Sequence, residues 1–232
     1  MSFAERALLL LLLPVLAVSG SQPRDAVRRA DTGEEKLIAL TFDDGPDPDG
    51  TGAILDVLAE YGVRATFFVI GEKAEKSPDL LIRAVGEGHE IGNHTYSHLN
   101  GKKTNEKRYL ADVKKNGALL SGILGYETVL FRPPGGNLSA ENGKAIGEAG
   151  CVTVLWSVDT EDWKGIAADK IVSAVLGHVR GGDIVLMHDC IYGKGHTAEA
   201  LKTVLPALIA EGYRFVTVSE LLSADVNRTA AQ

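Results

Sequence analysis

From Leu37 onward, short apolar runs alternate with stretches in which apolar residues recur at helical spacing. Such alternation is what parallel strands covered on both faces, linked by crossover helices, leave in a sequence. Seven strands are predicted, at residues 37–42, 66–70, 90–93, 129–132, 152–158, 184–188 and 214–218. Ala53, Ile54, Val57, Leu58 and Tyr61 make one helical stripe, and Leu80, Leu81, Ala84 and Val85 make another. The second opens with Ser77-Pro78, a capping residue followed by the residue whose fixed φ suits a first helical turn. Further helices are predicted to begin near Thr104, Ser139, Asp169 and Thr197, with Pro206 expected to kink or restart the last one. The succession predicts an α/β fold, a distorted (β/α) barrel of about seven parallel strands. In such barrels the loops after the strand C-termini carry the chemistry.

Ahead of this pattern lies an apolar run from Ala7 to Leu13 and from Val15 to Val18, closed by Ser19-Gly20-Ser21. It is shorter than the roughly 20 residues a membrane-crossing helix needs, and small residues stand where a signal peptide is cut. An uncleaved signal anchor is the competing reading, because Glu5 offsets the charge of Arg6. The expected organisation is a signal peptide or anchor at residues 1–21, a polar tether at 22–35, one domain at 36–222 and a frayed tail at 223–232. A secreted or cell-envelope location follows, with membrane contact only through an uncleaved N-terminal anchor.

At 232 residues, 45% hydrophobic and 24% charged, the composition is that of a globular protein. A net charge of -7 and 6% aromatic residues argue against a phosphate-tracking surface or base-stacking platforms, so nucleic acid is not an expected partner. No protein partner is evident in the sequence. Cys151 precedes the fifth predicted strand and Cys190 follows the sixth, at opposite ends of a strand length of about 23 Å. A disulfide needs Cα atoms within about 7 Å, so both are expected to be free.

Five predicted strands end in ionisable groups: Asp43-Asp44-Gly45-Pro46, Asn93-His94-Thr95-Tyr96-Ser97-His98, Arg132-Pro133-Pro134-Gly135-Gly136, Asp159-Thr160-Glu161-Asp162-Trp163, and Leu186-Met187-His188-Asp189. Each alone is ordinary turn or capping chemistry. Together they bring carboxylates, three imidazoles and a guanidinium to one end of one sheet, which turn chemistry does not require. His94 and His98, four residues apart, can share an ion with one carboxylate, leaving open positions as in catalytic rather than structural zinc. One divalent ion, zinc, is therefore expected, and such an ion lowers the pKa of bound water to about 7. The Asp43-Asp44 pair supplies both a ligand and a base if the chain leaves strand geometry there, which Gly45-Pro46 permits. His188 is the expected general acid, with Asp159 and Asp162 available to hold it charged. His89, His178 and His196, and the turn residues Asp47 and Asp49, are expected to stay outside the ion site.

The five motifs, in this order, resemble those of the carbohydrate esterase family 4 polysaccharide deacetylases, the NodB-homology domain. The resemblance covers nearly the whole domain and implies the same distorted barrel. It also implies that Asp43 is the base, that Asp44, His94 and His98 bind the metal, and that His188 is the acid. Arg132 would pair with the base and Asp162 tune the catalytic histidine, while Trp163 and Leu186 would line an acetyl pocket and the Gly135 N–H face the oxyanion. The implied reaction is hydrolysis of N-acetyl groups on an N-acetylated glycan, peptidoglycan or chitin oligomers. The alternative is O-deacetylation of the acetylxylan type, since the same groups serve an ester. A non-catalytic glycan-binding protein would show damaged motifs or aromatic platforms, and neither is present.

Overall fold

A computed structural model of the protein describes residues 26–191, 193 and 195–229. The expected signal peptide or anchor lies outside the described residues. The described elements are β1 (Leu37–Asp43), α1 (Gly50–Tyr61), β2 (Thr66–Val69), α2 (Gly71–Ala74), α3 (Pro78–Gly86), β3 (Glu90–Asn93), α4 (Glu106–Leu124), β4 (Leu130–Phe131), α5 (Ala140–Glu148), β5 (Val152–Thr153), β6 (Val158–Asp159), α6 (Ala168–Leu176), β7 (Ile184–His188), α7 (Thr197–Ala210), β8 (Arg214–Phe215) and α8 (Val218–Thr229). The paired strands run parallel in the order β5-β4-β3-β2-β1-β7-β6, and β8 adds to the start of β1. The sheet curls into the expected distorted barrel.

Alternation along β1 explains the two sides of this sheet. Ile38, Leu40 and Phe42 pack outward on α1 and α7, whereas Leu37 and Ala39 pack in a second core with Phe68, Leu130, Val154 and Ile184. Continuing that inner row upward gives Thr41 and then Asp43, so the barrel interior changes from apolar to polar toward the strand C-termini. Register brings those termini level: Asp43 stands opposite Phe68 on one side and His188 on the other, Val69 opposite Asn93, and Asn93 opposite Phe131.

Four expectations change. The strand predicted over 152–158 is two strands at opposite ends of the sheet, β5 on β4 and β6 on β7, joined by residues 154–157. That stretch spans the barrel seam, and its edge backbone groups need partners from elsewhere. Residues expected in the polar tether provide them: the Val27 N–H donates to the Thr153 carbonyl at 2.9 Å and the Leu155 N–H to the Val27 carbonyl at 2.7 Å. Ala30 follows with a bond from its N–H to the Gly182 carbonyl, and Arg29 pairs with the buried Asp183 carboxylate. At the other end, α8 continues to Thr229, past the expected tail boundary, because Val218 and Leu221 are buried in the inner core. Finally, α7 is unbroken at Pro206. The carbonyl four residues earlier belongs to Lys202 on the exposed face, where water can satisfy it. No helix among the described residues is long and apolar enough to cross a membrane.

Gly92 illustrates how tightly the inner layer is built. It pairs with Phe68, and a Cβ there would come within 2.5 Å of the Phe68 ring. Gly92→Ala is expected to overpack this layer and cost about 1–3 kcal/mol of stability, measured by urea denaturation.

Candidate active site

Arg132, at the end of β4, has no exposed surface. Its Nη1 donates to Asp43 Oδ1 and Thr41 Oγ1, both at 2.7 Å, its Nε to the Val154 carbonyl at 3.2 Å and its Nη2 to the Leu155 carbonyl at 3.0 Å. The guanidinium lies 4.1 Å from the Phe68 ring centroid, a cation–π contact in a dry setting. Burial lowers the Arg132 pKa and the Asp43 charge raises it. The result fixes one Asp43 oxygen and leaves Oδ2 facing the ring of His94, 3.9 Å from Nε2.

Asp44 turns away from the row that carries Asp43. Its φ of +78° lies in the left-handed region, as do those of Thr95, His98 and Glu161. Non-glycine residues enter this region at a cost, and here each lies in one of the expected site motifs. The turn continues into Gly45, where a Cβ would collide with the Asp189 carboxylate. Lys73 Nζ holds the Asp44 carbonyl at 2.6 Å and also donates to Cys190 Sγ at 3.1 Å.

With the backbone so turned, Asp44 Oδ1 sits 3.3 Å from His94 Nε2 and 3.1 Å from His98 Nε2. His94 Nδ1 is 2.8 Å from the Arg132 carbonyl, which only accepts, so Nδ1 carries the proton and Nε2 is left with a free lone pair. The three ligand atoms lie within 4.8 Å of one another. Asp44 Oδ1 is buried and makes no hydrogen bond. A buried carboxylate oxygen facing two imidazole nitrogens is the arrangement a divalent cation satisfies, so these residues fit a metal. Burial would raise the Asp44 pKa, but the two imidazoles overcome it and hold the carboxyl well below the usual range.

His188 completes the arrangement beside Asp43. Its Nδ1 is 2.8 Å from Asp162 Oδ1, and its backbone N–H donates to Asp162 Oδ2 at 2.7 Å. The Thr197 hydroxyl donates to the same oxygen at 2.8 Å. Burial lowers the His188 pKa, but the Asp162 bond and the charges of Asp162, Asp43 and Asp44 prevail and raise it to about 9. Asp159, expected to share this role, does not: it is exposed and accepts from the Glu161 N–H. It stands opposite Leu186 on the last strand of the sheet, where solvent reaches it, and the turn that follows brings Asp162 to His188 instead.

The remaining expected residues frame the cleft. Trp163 is 52% exposed and lines a cavity of about 360 Å³ with Asp44, Lys73, Cys190 and Ile191. Leu186 is buried two residues before His188, on the same face of β7. Gly135 occupies the turn after Arg132-Pro133 with φ +60°. His89, His178 and His196 stay outside the metal group: their Nδ1 atoms meet the Ala65 N–H, the Ala174 carbonyl and the Glu199 carboxylate. Both cysteines are free.

The polysaccharide deacetylase family profile matches residues 30–154. The chain belongs to the polysaccharide deacetylase family. A peptidoglycan-N-acetylglucosamine deacetylase of Bacillus cereus is 44% identical over 81% of this chain and 89% of its own length. A solved structure of a peptidoglycan N-acetylglucosamine deacetylase matches with a TM-score of 0.80 at 41% identity, covering 84% of this chain and 91% of that one. A family 4 acetyl xylan esterase from Clostridium thermocellum, solved in complex with a cobalt ion, matches with a TM-score of 0.75 at 34% identity, covering 81% and 91%.

Sequence reasoning missed the groups that hold the His94–His98 loop of this polysaccharide deacetylase. Asp112 on α4 accepts from the Tyr96 and Ser97 N–H groups at 2.9 and 3.0 Å and from the Ser97 hydroxyl at 3.1 Å. One turn later, Asn116 Nδ2 reaches the carbonyls of Val69 and Thr95 and the side chain of Asn93. A signal existed: Tyr109, Val113, Asn116 and Leu120 are the buried stripe of α4, and asparagine interrupts it. Asp189 was also passed over. Buried, with the Thr51 hydroxyl on Oδ2 at 2.6 Å, it has a pKa pushed up to about 7, first by burial and further by the Asp44 charge.

Because Arg132 is fully buried and charged, Arg132→Met is expected to cost about 3–5 kcal/mol by leaving the Asp43 carboxylate without its partner. Chemical denaturation of the two proteins side by side measures it.

Proposed function

We propose that the protein removes N-acetyl groups from N-acetylglucosamine-type residues of peptidoglycan, releasing acetate and leaving the free amino sugar. The observation that carries this reading is the position of Asp43: held through one oxygen by Arg132, it lies beside the Asp44-His94-His98 group and directly across the ladder from His188. The likeness to peptidoglycan-N-acetylglucosamine deacetylases supports the choice of polymer. Action on a wall polymer accords with a signal segment at residues 1–21 and a secreted or cell-envelope location.

In this reading Asp44, His94 and His98 hold the metal, and two imidazoles with one carboxylate suit zinc. A bound zinc ion supplies Lewis-acid polarisation of the acetyl carbonyl and acidified water. Asp43 accepts the proton of the attacking water on Oδ2, while Arg132 holds the other oxygen and aims the carboxylate. The Gly135 N–H meets the developing oxyanion. His188, held by Asp162, protonates the nitrogen as the carbon–nitrogen bond breaks, so acetate and an amine leave together. Trp163 and Leu186 wall the acetyl group. The likeness to an acetyl xylan esterase favours a second reading, O-deacetylation by the same groups. Acetate release from N-acetylglucosamine oligomers and peptidoglycan, compared with acetylated xylan, separates the two.

Asp44→Ala is expected to lose bound metal and turnover together. Asp43→Asn should keep the metal while turnover falls at least about 100-fold, the usual contribution of a general base. Metal content and acetate release are measured on the same preparations, and full turnover in Asp43→Asn would remove Asp43 from the base role.

The pH profile tests the acid. His188 acts only when protonated, so activity should fall as pH rises through its pKa, near or below the about 9 that its carboxylate neighbours support. A cation bound at Asp44 offsets one of those charges and moves this limb toward neutrality. Asp162→Asn removes the hydrogen bond and charge that raise the pKa, so the alkaline limb of kcat/KM should move to lower pH. An unmoved limb would assign it to another group.

A further inference from the structure

The charge of this chain is unevenly placed. Between residues 102 and 115 stand six cations, Lys102, Lys103, Lys107, Arg108, Lys114 and Lys115, against the two carboxylates Glu106 and Asp112. This is a local excess of four positive charges in a chain of net charge -7. All six cationic residues are exposed, and among the described residues none forms an ion pair. Asp112 is turned to the Tyr96 and Ser97 N–H groups and the Ser97 hydroxyl rather than to any of the six cations.

The six form a stripe that starts at the active site. Lys102 and Lys103 follow His98 in the loop before α4, and Gly101 bridges Leu138 just beyond the Pro134–Gly136 turn. Lys107 with Lys114, and Arg108 with Lys115, lie seven residues apart on α4. Two helical turns put each pair on one face, about 10.5 Å apart along the axis. Lys115 Nζ lies 3.2 Å from the centroid of the Tyr96 ring, and Tyr96 stands between His94 and His98. The stripe is thus an outward continuation of the metal loop, while the exposed Trp163 borders the cleft.

Charge complementarity selects the occupant. Oligomers of N-acetylglucosamine are neutral and gain nothing from such a stripe. A peptidoglycan strand carries peptides with free carboxylates along the sugar chain, and a protein of net charge -7 repels it except where positive charge is concentrated. Screening over about 8 Å at physiological salt makes the nearest charges count and the distant net charge matter little. Resting on the deacetylase reading, we infer that residues 102–103 and the exposed face of α4 dock the carboxylate-bearing peptides of the strand being deacetylated. The stripe thereby favours peptidoglycan over neutral oligomers.

The test uses the full chain, metal-loaded, and the triple variant Lys107→Gln, Arg108→Gln, Lys114→Gln, whose exposed positions leave the fold unchanged. Acetate release is measured on sacculi stripped of phosphodiester polymers and on N-acetylglucosamine oligomers over a range of salt. On sacculi the variant should lose about tenfold in kcat/KM, the sum of three exposed charge interactions, and the unsubstituted protein should show a similar loss as salt rises. On the neutral oligomers both proteins should turn over equally at every salt concentration. Equal activity of the two proteins on stripped sacculi overturns the proposal, as does the same loss on both substrates. A difference seen only when the phosphodiester polymers are left in place also overturns it, by moving the contact to phosphate. If the unsubstituted protein releases acetate from neither substrate, the deacetylase reading fails instead. Co-sedimentation of the two proteins with stripped sacculi then decides the docking surface by itself.

Discussion

One buried ion pair organises this barrel. Arg132 brings a full positive charge into a site with no exposed surface, and every nitrogen of its guanidinium has a partner there. Breaking such a pair is costly even though making it adds little net stability, so its value lies in the geometry it specifies. It ties the end of β4 to β1 through Thr41 and Asp43, and to the barrel seam through the carbonyls of Val154 and Leu155. Those same seam residues are paired from the other side by Val27. The Phe68 ring beneath the guanidinium has room only because β3 offers Gly92 opposite it.

Around this pair, two neighbouring aspartates are given different environments by a single backbone torsion. Asp43 stays in the strand row and meets Arg132, whereas Asp44, with φ +78°, meets two imidazoles. The strained turn persists because Lys73 holds the Asp44 carbonyl and Asp189 packs against Gly45. The histidine loop is over-determined in the same way, by Asp112 and Asn116 from α4. Carboxylates and imidazoles are thereby sorted into separate chemical roles. Asp44 faces His94 and His98, which hold its carboxyl below the usual range, and His188 faces Asp162, which helps to raise its pKa.

Helix α4 presents two different faces. Its buried side supplies Asp112 and Asn116 to the His94–His98 loop, and its exposed side carries the positive stripe. In the docking we propose, attraction is confined to the neighbourhood of the cleft, because uniform positive charge would hold a protein anywhere on an acidic polymer surface.

The strand–helix alternation, the strand ends and the five polar motifs were legible in the chain, because apolar period and residue type are local properties. Asp43, Asp44, His94, His98, Arg132, Asp162 and His188 were all found by residue type and order, and the structure brings them to one barrel end. The division of 152–158 into two strands was not legible, since its apolar run is the same whether one sheet edge or two receive it. Nor was the docking of Val27 to Ala30, where polar composition hides backbone pairing. Asp159 and Asp162 are equivalent by composition, and only the direction of the chain at the end of β6 separates them. By itself the sequence determined which chemical groups stand at the strand ends. Only the tertiary structure decided which oxygen faces which nitrogen, because backbone torsions, register and burial arise from contacts between segments far apart in the chain.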